Sequence, residues 1–320
     1  MKHIVANNYG LFLGLSSHRL TIKKEGKLIE EVALNRVKTI QVLSKGVTLS
    51  SDLIQACSAR GIKIFFNTFR TFSALHTLYE HKSVVVRHNQ YKTAMSHRGI
   101  ELARCLIVGK LKNQRATMLY ATRNWETSYK EESIRHFDTL IAQLRHKKVV
   151  DREFILGVEG SAASRYFEFI KNFELFPSSF EYRTKRHSDE ITNIALNYGY
   201  AILFNFVYKA CINAGLEPYS GVLHSVRSAK PSLVLDIMEE YRSFVVDRNI
   251  IKLRYKLEKT RDFNKIKGDI AANILKTFSK KYRYNHRKLT LESIVQRQVY
   301  KISGYFGSEQ SRYKPYVFRW

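Results

Sequence analysis

The spacing of apolar residues changes once along this 320-residue chain, and the change divides it. Up to about residue 78 the apolar residues come in short runs rich in Val, Ile, Leu and Thr: "HIVANNYGLFLGL", "HRLTIKKEGKLIEEVAL", "RVKTIQVLS" and "IKIFFNTF". Turn residues such as "NNYG" and "KEGK" punctuate them, which is a strand pattern. One helix is expected among them. "TLSSDLIQACSARG" offers Ser50 or Ser51 as N-cap, Leu53, Ile54 and Cys57 as an apolar stripe, and Gly61 as a stop. Further on the period becomes helical. Ile100, Ala103, Ile107, Leu111, Met118 and Ala121 recur at three, four or whole-turn spacings, and similar patterns follow at roughly 129–146, 159–173, 189–214, 231–247 and 266–280. Between the two regimes "YEHKSVVVRHNQ" reads as a polar connector with a strand-like centre. The expected fold is therefore α+β. A small β-rich domain spans 1–80, a linker 81–90, and a larger all-α domain 91–320, a division that a chain of this length favours.

Charge restricts the partners. Fifty-four Lys and Arg stand against 28 acids, a formal +26, and from Tyr241 to Trp320 twenty Lys/Arg meet only six Asp/Glu. Such an excess repels itself unless a polyanion neutralises it, and nucleic acid is the expected one, ahead of an anionic membrane surface. Cys57, Cys105 and Cys211 lie far apart, so neither a disulfide framework nor a zinc knuckle is expected. The opening "MKHIVANNYG" lacks an apolar core, and "NIALNYGYAILFNFVYKACINAGL" is interrupted by Asn, Tyr and Lys. It reads as a buried helix rather than a membrane span, and a reducing cytoplasm is the expected location.

The acids that remain are grouped. Glu159 stands in "GVEGSAASRYF", whose small residues Gly160, Ala162 and Ala163 suggest close helix packing around it. His224 falls in a loop of "SGVLHSVRSAKPSLVLDIMEEYR", and Pro231 suits the start of the next helix. On that helix Asp236 and Glu239 share a face, whereas Leu233, Ile237, Tyr241 and Phe244 form an apolar stripe. A third piece, "NQR" at 113–115, is polar within an amphipathic helix. One imidazole with two or three carboxylates in a basic chain suits Mg2+ or Mn2+ better than zinc. Such an ion would serve phosphoryl-transfer chemistry. Each residue also has a structural reading. Glu159 can favour a helix's first turn, His224 can bond to backbone, and Asp236 and Glu239 can pair with Arg242 or Arg227. Spacing alone leaves a metal-dependent nuclease or phosphoryl transferase beside a non-catalytic nucleic-acid binder.

At these residues the chain resembles the CRISPR-associated integrases of spacer acquisition, the Cas-one family. "GKLKNQR", "GVEGSAASRYF", "GLEPYSGVLHSVRSAKPSLVLDIMEEYR" and the ending "YKPYVFRW" all match family motifs, and the match spans essentially the whole chain. The resemblance implies a β-sandwich-like N-terminal domain that forms homodimers and a helical catalytic domain. It also implies a complex with the small Cas-two protein, double-stranded DNA as substrate, and a prokaryotic cytoplasm. It places the metal ligands on Glu159, His224 and Glu239, the last being Asp in many relatives. Asp236 matches a second acid, ligand or support. Lys230 matches a basic residue at the scissile phosphate, and Tyr198 an active-site tyrosine. The implied reaction is attack by a free 3′-hydroxyl of a captured fragment on a repeat phosphodiester. Arg242, Arg248, Lys252, Arg254, Lys280, Lys281 and Arg283 are the expected phosphate contacts. The chain departs from the family in lacking a Pro-rich loop before "NIALNYGY" and in having Tyr241-Arg242-Ser243 where Phe-Arg-Pro is frequent. A nuclease that does not integrate is the rival reading.

Overall fold

Two units make up the chain, Met1–Val86 and Arg87–Trp320. The computed structural model describes residues 2–67, 72–75, 84–184, 188–225, 227, 230–260 and 262–318. In the first unit, β1 (Lys2–Ala6), β5 (Val37–Val42), β7 (Lys63–Asn67) and β8 (Phe72–Ala74) form one four-stranded sheet in the order β1-β5-β7-β8. The pairs among its first three strands are parallel. β2 (Leu11–Ser16), β3 (Arg19–Lys24), β4 (Lys27–Ala33) and β6 (Thr48–Leu49) form a second, in the order β4-β3-β2-β6. The β2–β3 turn has φ +45° at Ser17 and +61° at His18, and the β3–β4 turn has φ +51° at Glu25 and +77° at Gly26. Both turns thus have the left-handed pairs that match strand twist. Ile4, Ile40 and Ile64 from one sheet meet Leu13, Leu20 and Ile22 from the other, and Leu53 and Cys57 of α1 (Ser51–Ala59) complete this core. Ser50 is the cap of α1, accepting from Leu53 N at 3.3 Å.

The connector differs from its sequence reading. Val84–Ala94 is a helix, α2, and the strand-like "VVV" enters it; residues 76–83 lie outside the described residues. Tertiary bonds override the β-branched preference here. The buried Gln90 amide donates to Glu217 O and Ser220 O at 2.8 Å each and accepts from Glu217 N at 2.9 Å.

The second unit is built on α3 (His97–Ala121), with α4 (Ser128–His146), α5 (Arg152–Asn172) and α6 (Ile191–Asn213) around it. α5 starts at Arg152, earlier than the pattern from 159 suggests, because Asp151 caps it by accepting from Phe154 N at 2.7 Å. Glu159 is therefore mid-helix and not in a first turn. The expected helix over 231–247 is broken. α7 (Ser232–Met238) ends, and a π-helical turn, Arg242–Asp247, leads into α8 (Arg248–Lys252) and α9 (Arg254–Glu258). Nor is the unit all helical. After α10 (Phe263–Ser279), β9 (Lys281–Tyr284) and β10 (Arg287–Thr290) form an antiparallel hairpin that turns on Asn285 at φ +53°. α11 (Leu291–Phe306) follows, capped by Thr290, beyond the last helical pattern expected at 266–280. No helix among the described residues is long and apolar enough to cross a membrane.

The small residues around Glu159 act differently from expectation. Ala162 is buried, but a Cβ built on Gly157 or Gly160 would meet nothing within 4 Å. These glycines carry the entropy cost of a helical glycine with no packing in return. Gly157→Ala, on an exposed face, is expected to stabilise the chain by about 0.5–1 kcal/mol. Chemical denaturation of the two proteins checks this; an unchanged or lower midpoint refutes it.

Candidate active site

α3, α5 and the end of α7 each bring one charged group to the same point. Lys110, on α3, has a side chain only 8% exposed. Its ammonium pairs with Glu159 from α5 and lies 2.7 Å from Glu239 Oε2 at the end of α7. Burial alone would strip the lysine of its proton, but Glu239 and Glu159 together raise its pKa instead. Burial would likewise raise the Glu239 carboxyl, yet the Arg242 guanidinium and Lys110 hold it at about 2. Glu239 Oε2 is an ion contact of Lys110 but is left without a well-aligned hydrogen bond. Glu159, Glu239, His224 and Lys230 all line one cavity of about 910 Å³.

His224 reaches the cavity through Asp236. That carboxylate is fully buried and accepts from Val222 N at 2.6 Å, Leu223 N at 3.0 Å and His224 N at 2.9 Å. It also accepts from His224 Nδ1 at 2.6 Å. One acid thus folds the loop and fixes the ring tautomer, leaving Nε2 as the nitrogen with a free lone pair. A glycine is required at 221, because a Cβ there would lie 2.5 Å from Asp236 Oδ2. Asp236 and Glu239, three residues apart, have different partners: the first holds the imidazole and the second shares the lysine.

The donor set fits a divalent cation. Two carboxylates already share one positive charge, one of their oxygens lacks a hydrogen bond, and the imidazole is oriented as ligating histidines are. Among the described residues no three His, Cys, Asp or Glu side chains are yet gathered as a coordination shell. The ammonium of Lys110 separates the two glutamates instead.

The π-helical turn builds the far wall. In α geometry residues five apart would be turned about 140° from each other; in a π turn they stack. Arg242 and Asp247 consequently both line the cavity. Arg242 pairs with Glu239 at 3.1 Å and lies over the Tyr200 ring, 4.8 Å from its centroid. Tyr200 donates to Asp247 at 2.6 Å, and Arg183 covers the same ring at 5.4 Å. Burial raises the Asp247 carboxyl to about 6 despite that bond and Arg242. Tyr200 and Tyr182 line this cavity; Tyr198 does not. Tyr198 is two residues away on α6 and packs edge-on against Phe263 at 5.4 Å, with Lys267 5.7 Å from its ring centroid. Lys110 and Tyr200 lay inside quoted motifs, "GKLKNQR" and "NYGY", but nothing in their spacing singled them out.

The expected phosphate contacts separate. Lys252, Lys280, Lys281 and Arg283 are exposed, and Arg254 is half-buried. Arg242 belongs to the cavity, and Arg248 is 9% exposed with its guanidinium 4.2 Å from the Phe244 ring centroid. The buried π–α8 segment draws these two arginines inward, away from a surface role. Asn113, the first residue of "NQR", ties the C-terminal segment down. It accepts from Phe318 N at 3.0 Å and donates to Tyr316 O at 2.9 Å and Glu240 O at 2.7 Å. Glu240 accepts from Tyr313 OH at 2.6 Å and Tyr316 N at 3.2 Å.

Residues 4–284 match the sequence model of the family described as "CRISPR associated protein Cas1". A relative from Francisella tularensis subsp. novicida, named CRISPR-associated endonuclease Cas1 1, is 43% identical and covers 100% of both chains. A chain of a partial Cas6-RT-Cas1–Cas2 complex superposes with a TM-score of 0.74 at 18% identity, covering 99% of this chain and 98% of that one. A casposase bound to its integration product does so at 0.71 and 20% identity, covering 98% and 93%. At such identities the structural likeness is one of fold.

Burial raises the Glu240 carboxyl to about 8, against the Tyr313 and Tyr316 bonds that lower it. A raised carboxyl keeps its proton in the fold while the unfolded chain loses it, so the associated stability is present below about 4.5 and lost as pH rises through about 8. The difference in melting temperature between wild type and Glu240→Gln is expected to move in favour of the variant across that window. Thermal unfolding from acid to mildly alkaline pH measures it; a pH-independent difference overturns the assignment.

Proposed function

The chain belongs to the CRISPR-associated Cas1 family, and from that premise we propose that it is a DNA endonuclease and integrase of spacer acquisition. In this reading it joins the 3′ end of a captured double-stranded fragment to the CRISPR repeat. The observation that carries the reading is the sharing of one buried cation by Glu159 and Glu239 in a cavity that also takes His224, its ring set by Asp236.

In that reading Glu159, His224 Nε2 and Glu239 hold a divalent cation, Mg2+ or Mn2+. When bound, the ion supplies charge stabilisation to the reacting phosphate and lowers the pKa of a hydroxyl beside it. The chain's own residues do the rest. Asp236 keeps the imidazole in one tautomer and one orientation. Arg242, locked between Glu239 and the Tyr200 ring, keeps the second glutamate in place. Lys230 meets a phosphate oxygen at the cavity mouth, and Lys110 balances the two acids before DNA arrives. The 3′-hydroxyl of the fragment gives up its proton as its oxygen forms a bond to the repeat phosphorus, the bond from that phosphorus to the repeat's own 3′-oxygen breaks, and that released oxygen takes up a proton to become a hydroxyl. One phosphodiester replaces another, so no nucleotide triphosphate is consumed.

Lys252, Lys280, Lys281 and Arg283, with half-buried Arg254, lead the duplex past the cavity by phosphate contact. The first unit pairs with its copy as a homodimer, and a small Cas2 protein joins two such dimers in a prokaryotic cytoplasm. Names of the relatives and of the superposed complexes support the DNA and Cas2 parts of this assembly.

Glu159→Ala is expected to abolish joining of a labelled fragment to repeat DNA with Mn2+ present while keeping affinity for that DNA, an affinity that falls steeply with salt. Wild-type joining by the variant would sink the site assignment. Hydrolysis by the wild type without joined product would favour a nuclease that does not integrate. Lys110→Met leaves half-buried Glu159 without its partner and buried Glu239 with Arg242 alone, so it is expected to lower stability by about 3 kcal/mol, the low end for breaking a buried pair. Mn2+ should then raise its melting temperature more than that of wild type; an equal metal response counts against cation sharing at this point.

A further inference from the structure

The polar run "NQR" in the middle of α3 divides by what its side chains touch. Arg115 pairs with Asp138 of α4 at 2.8 Å, near the surface. Asn113, 1% exposed, spends its amide on Glu240 O, Tyr316 O and Phe318 N. Gln114, between them, is 4% exposed, and its Oε1 is buried with no hydrogen bond among the described residues. Unlike Asn113, it lines the catalytic cavity. It follows Lys110 by one helical turn, so the two side chains are neighbours on one face of α3. Its amide therefore stands beside the ammonium that pairs with Glu159 and Glu239.

Among the described residues, Glu239 and Arg242 are the other cavity residues with a buried side-chain atom lacking a hydrogen bond. They compensate each other as an ion pair at 3.1 Å. Gln114 is neutral and has no such compensation. A buried amide with its bonds unmade costs stability, so its presence needs a reason. The open atom is an acceptor, and what it meets must be a donor. Phosphodiester oxygens are acceptors and donate nothing. Base N–H groups of a duplex are paired within it. Along the sugar–phosphate backbone of a DNA strand the O–H donor is the terminal hydroxyl.

We propose that Gln114 is a further catalytic residue, whose Oε1 accepts a hydrogen bond from the 3′-hydroxyl that attacks the repeat phosphodiester. With the O–H turned toward the amide, a lone pair of the same oxygen faces phosphorus. The carboxamide itself takes no proton. As the new O–P bond forms, the hydroxyl proton passes to water. The bond from phosphorus to the repeat's 3′-oxygen breaks, and that oxygen takes a proton from water. The inference rests on the DNA reading above and adds a residue to it.

The test compares full-length wild type with Gln114→Met and Gln114→Glu. Met keeps the length of the side chain without the amide, and Glu keeps an acceptor at the same reach. Gln114→Met is expected to melt at or above the wild-type temperature, because it removes a buried group whose bonds are unmade. Its rate of joining a labelled fragment to repeat DNA with Mn2+ should nevertheless fall about a hundred-fold. Gln114→Glu should keep more of that rate than Gln114→Met; an amide that served a phosphate oxygen through its N–H would give the opposite order. Binding supplies a readout without chemistry. In EDTA and without repeat DNA, wild type should bind a fragment ending in a 3′-hydroxyl about two- to ten-fold more tightly than one ending in a 3′-deoxy sugar, the worth of one hydrogen bond. Gln114→Met should bind the two equally. A lowered melting temperature in Gln114→Met, a slower rate in Gln114→Glu than in Gln114→Met, or an undiminished preference for the hydroxyl end in Gln114→Met overturns the proposal and leaves the DNA reading intact. Failure of the wild type to bind either fragment would overturn the DNA reading and this proposal together.

Discussion

One buried ammonium organises this site. Lys110 leaves water to lie between two carboxylates from different helices, and its buried charge is tolerable only because they are there. Alone, Lys110 would be an uncompensated charge in a helical core. Together they fix α3, α5 and the end of α7 at a common point and hold two acids close in a strongly basic chain. The pairing also means that a divalent ion would arrive at a place already built for positive charge, exchanging with a cation rather than assembling acids against their repulsion.

Support for that point comes from positions far along the chain. Asp236 uses both oxygens on one loop, so the backbone of Val222–His224 and the imidazole are set by the same group. Asn113, one turn along α3 from Lys110, binds the segment around Tyr316 and Phe318 and the carbonyl of Glu240, next to Glu239. Arg242 braces Glu239 from the other side through the Tyr200 ring and Asp247. The two glutamates are thus held by side chains whose own positions are fixed by backbone hydrogen bonds or stacking, which is how a site keeps its geometry without a ligand.

Much of the fold was legible because it rests on periodicity. The strands of the first unit and the stripes of α3, α4, α6 and α10 follow directly from apolar spacing, and Ser50 and Gly61 mark the ends of α1 as local chemistry predicts. The gathering of Glu159, His224 and Glu239 around one cavity was reached only through motif resemblance, since nothing local ties a mid-helix acid to a loop more than sixty residues away. The losses have physical causes. Gly157 and Gly160 interrupt the helical pattern and hid the start of α5. A single lysine in a chain with 54 Lys and Arg carries no signal, so nothing in the sequence singles out Lys110. Tyr198 and Tyr200 differ by two residues, which on a helix is nearly opposite faces, and only the packing of α6 decides between them. The β9–β10 hairpin is so basic that its strand alternation is masked by charge.

The π-helical turn has a consequence of its own. A π turn is an α-helix carrying one residue too many, and here that extra residue keeps Arg242 and Asp247 in line across the cavity. What this segment must conserve is its count rather than its lettering. Val245 and Val246 can exchange for other apolar residues of similar size, but loss of a single residue between Arg242 and Asp247 would relax the turn to α geometry and rotate the Asp247–Tyr200 support out of register with Glu239. Length here acts as a chemical constraint, and it is one that substitution tables do not record.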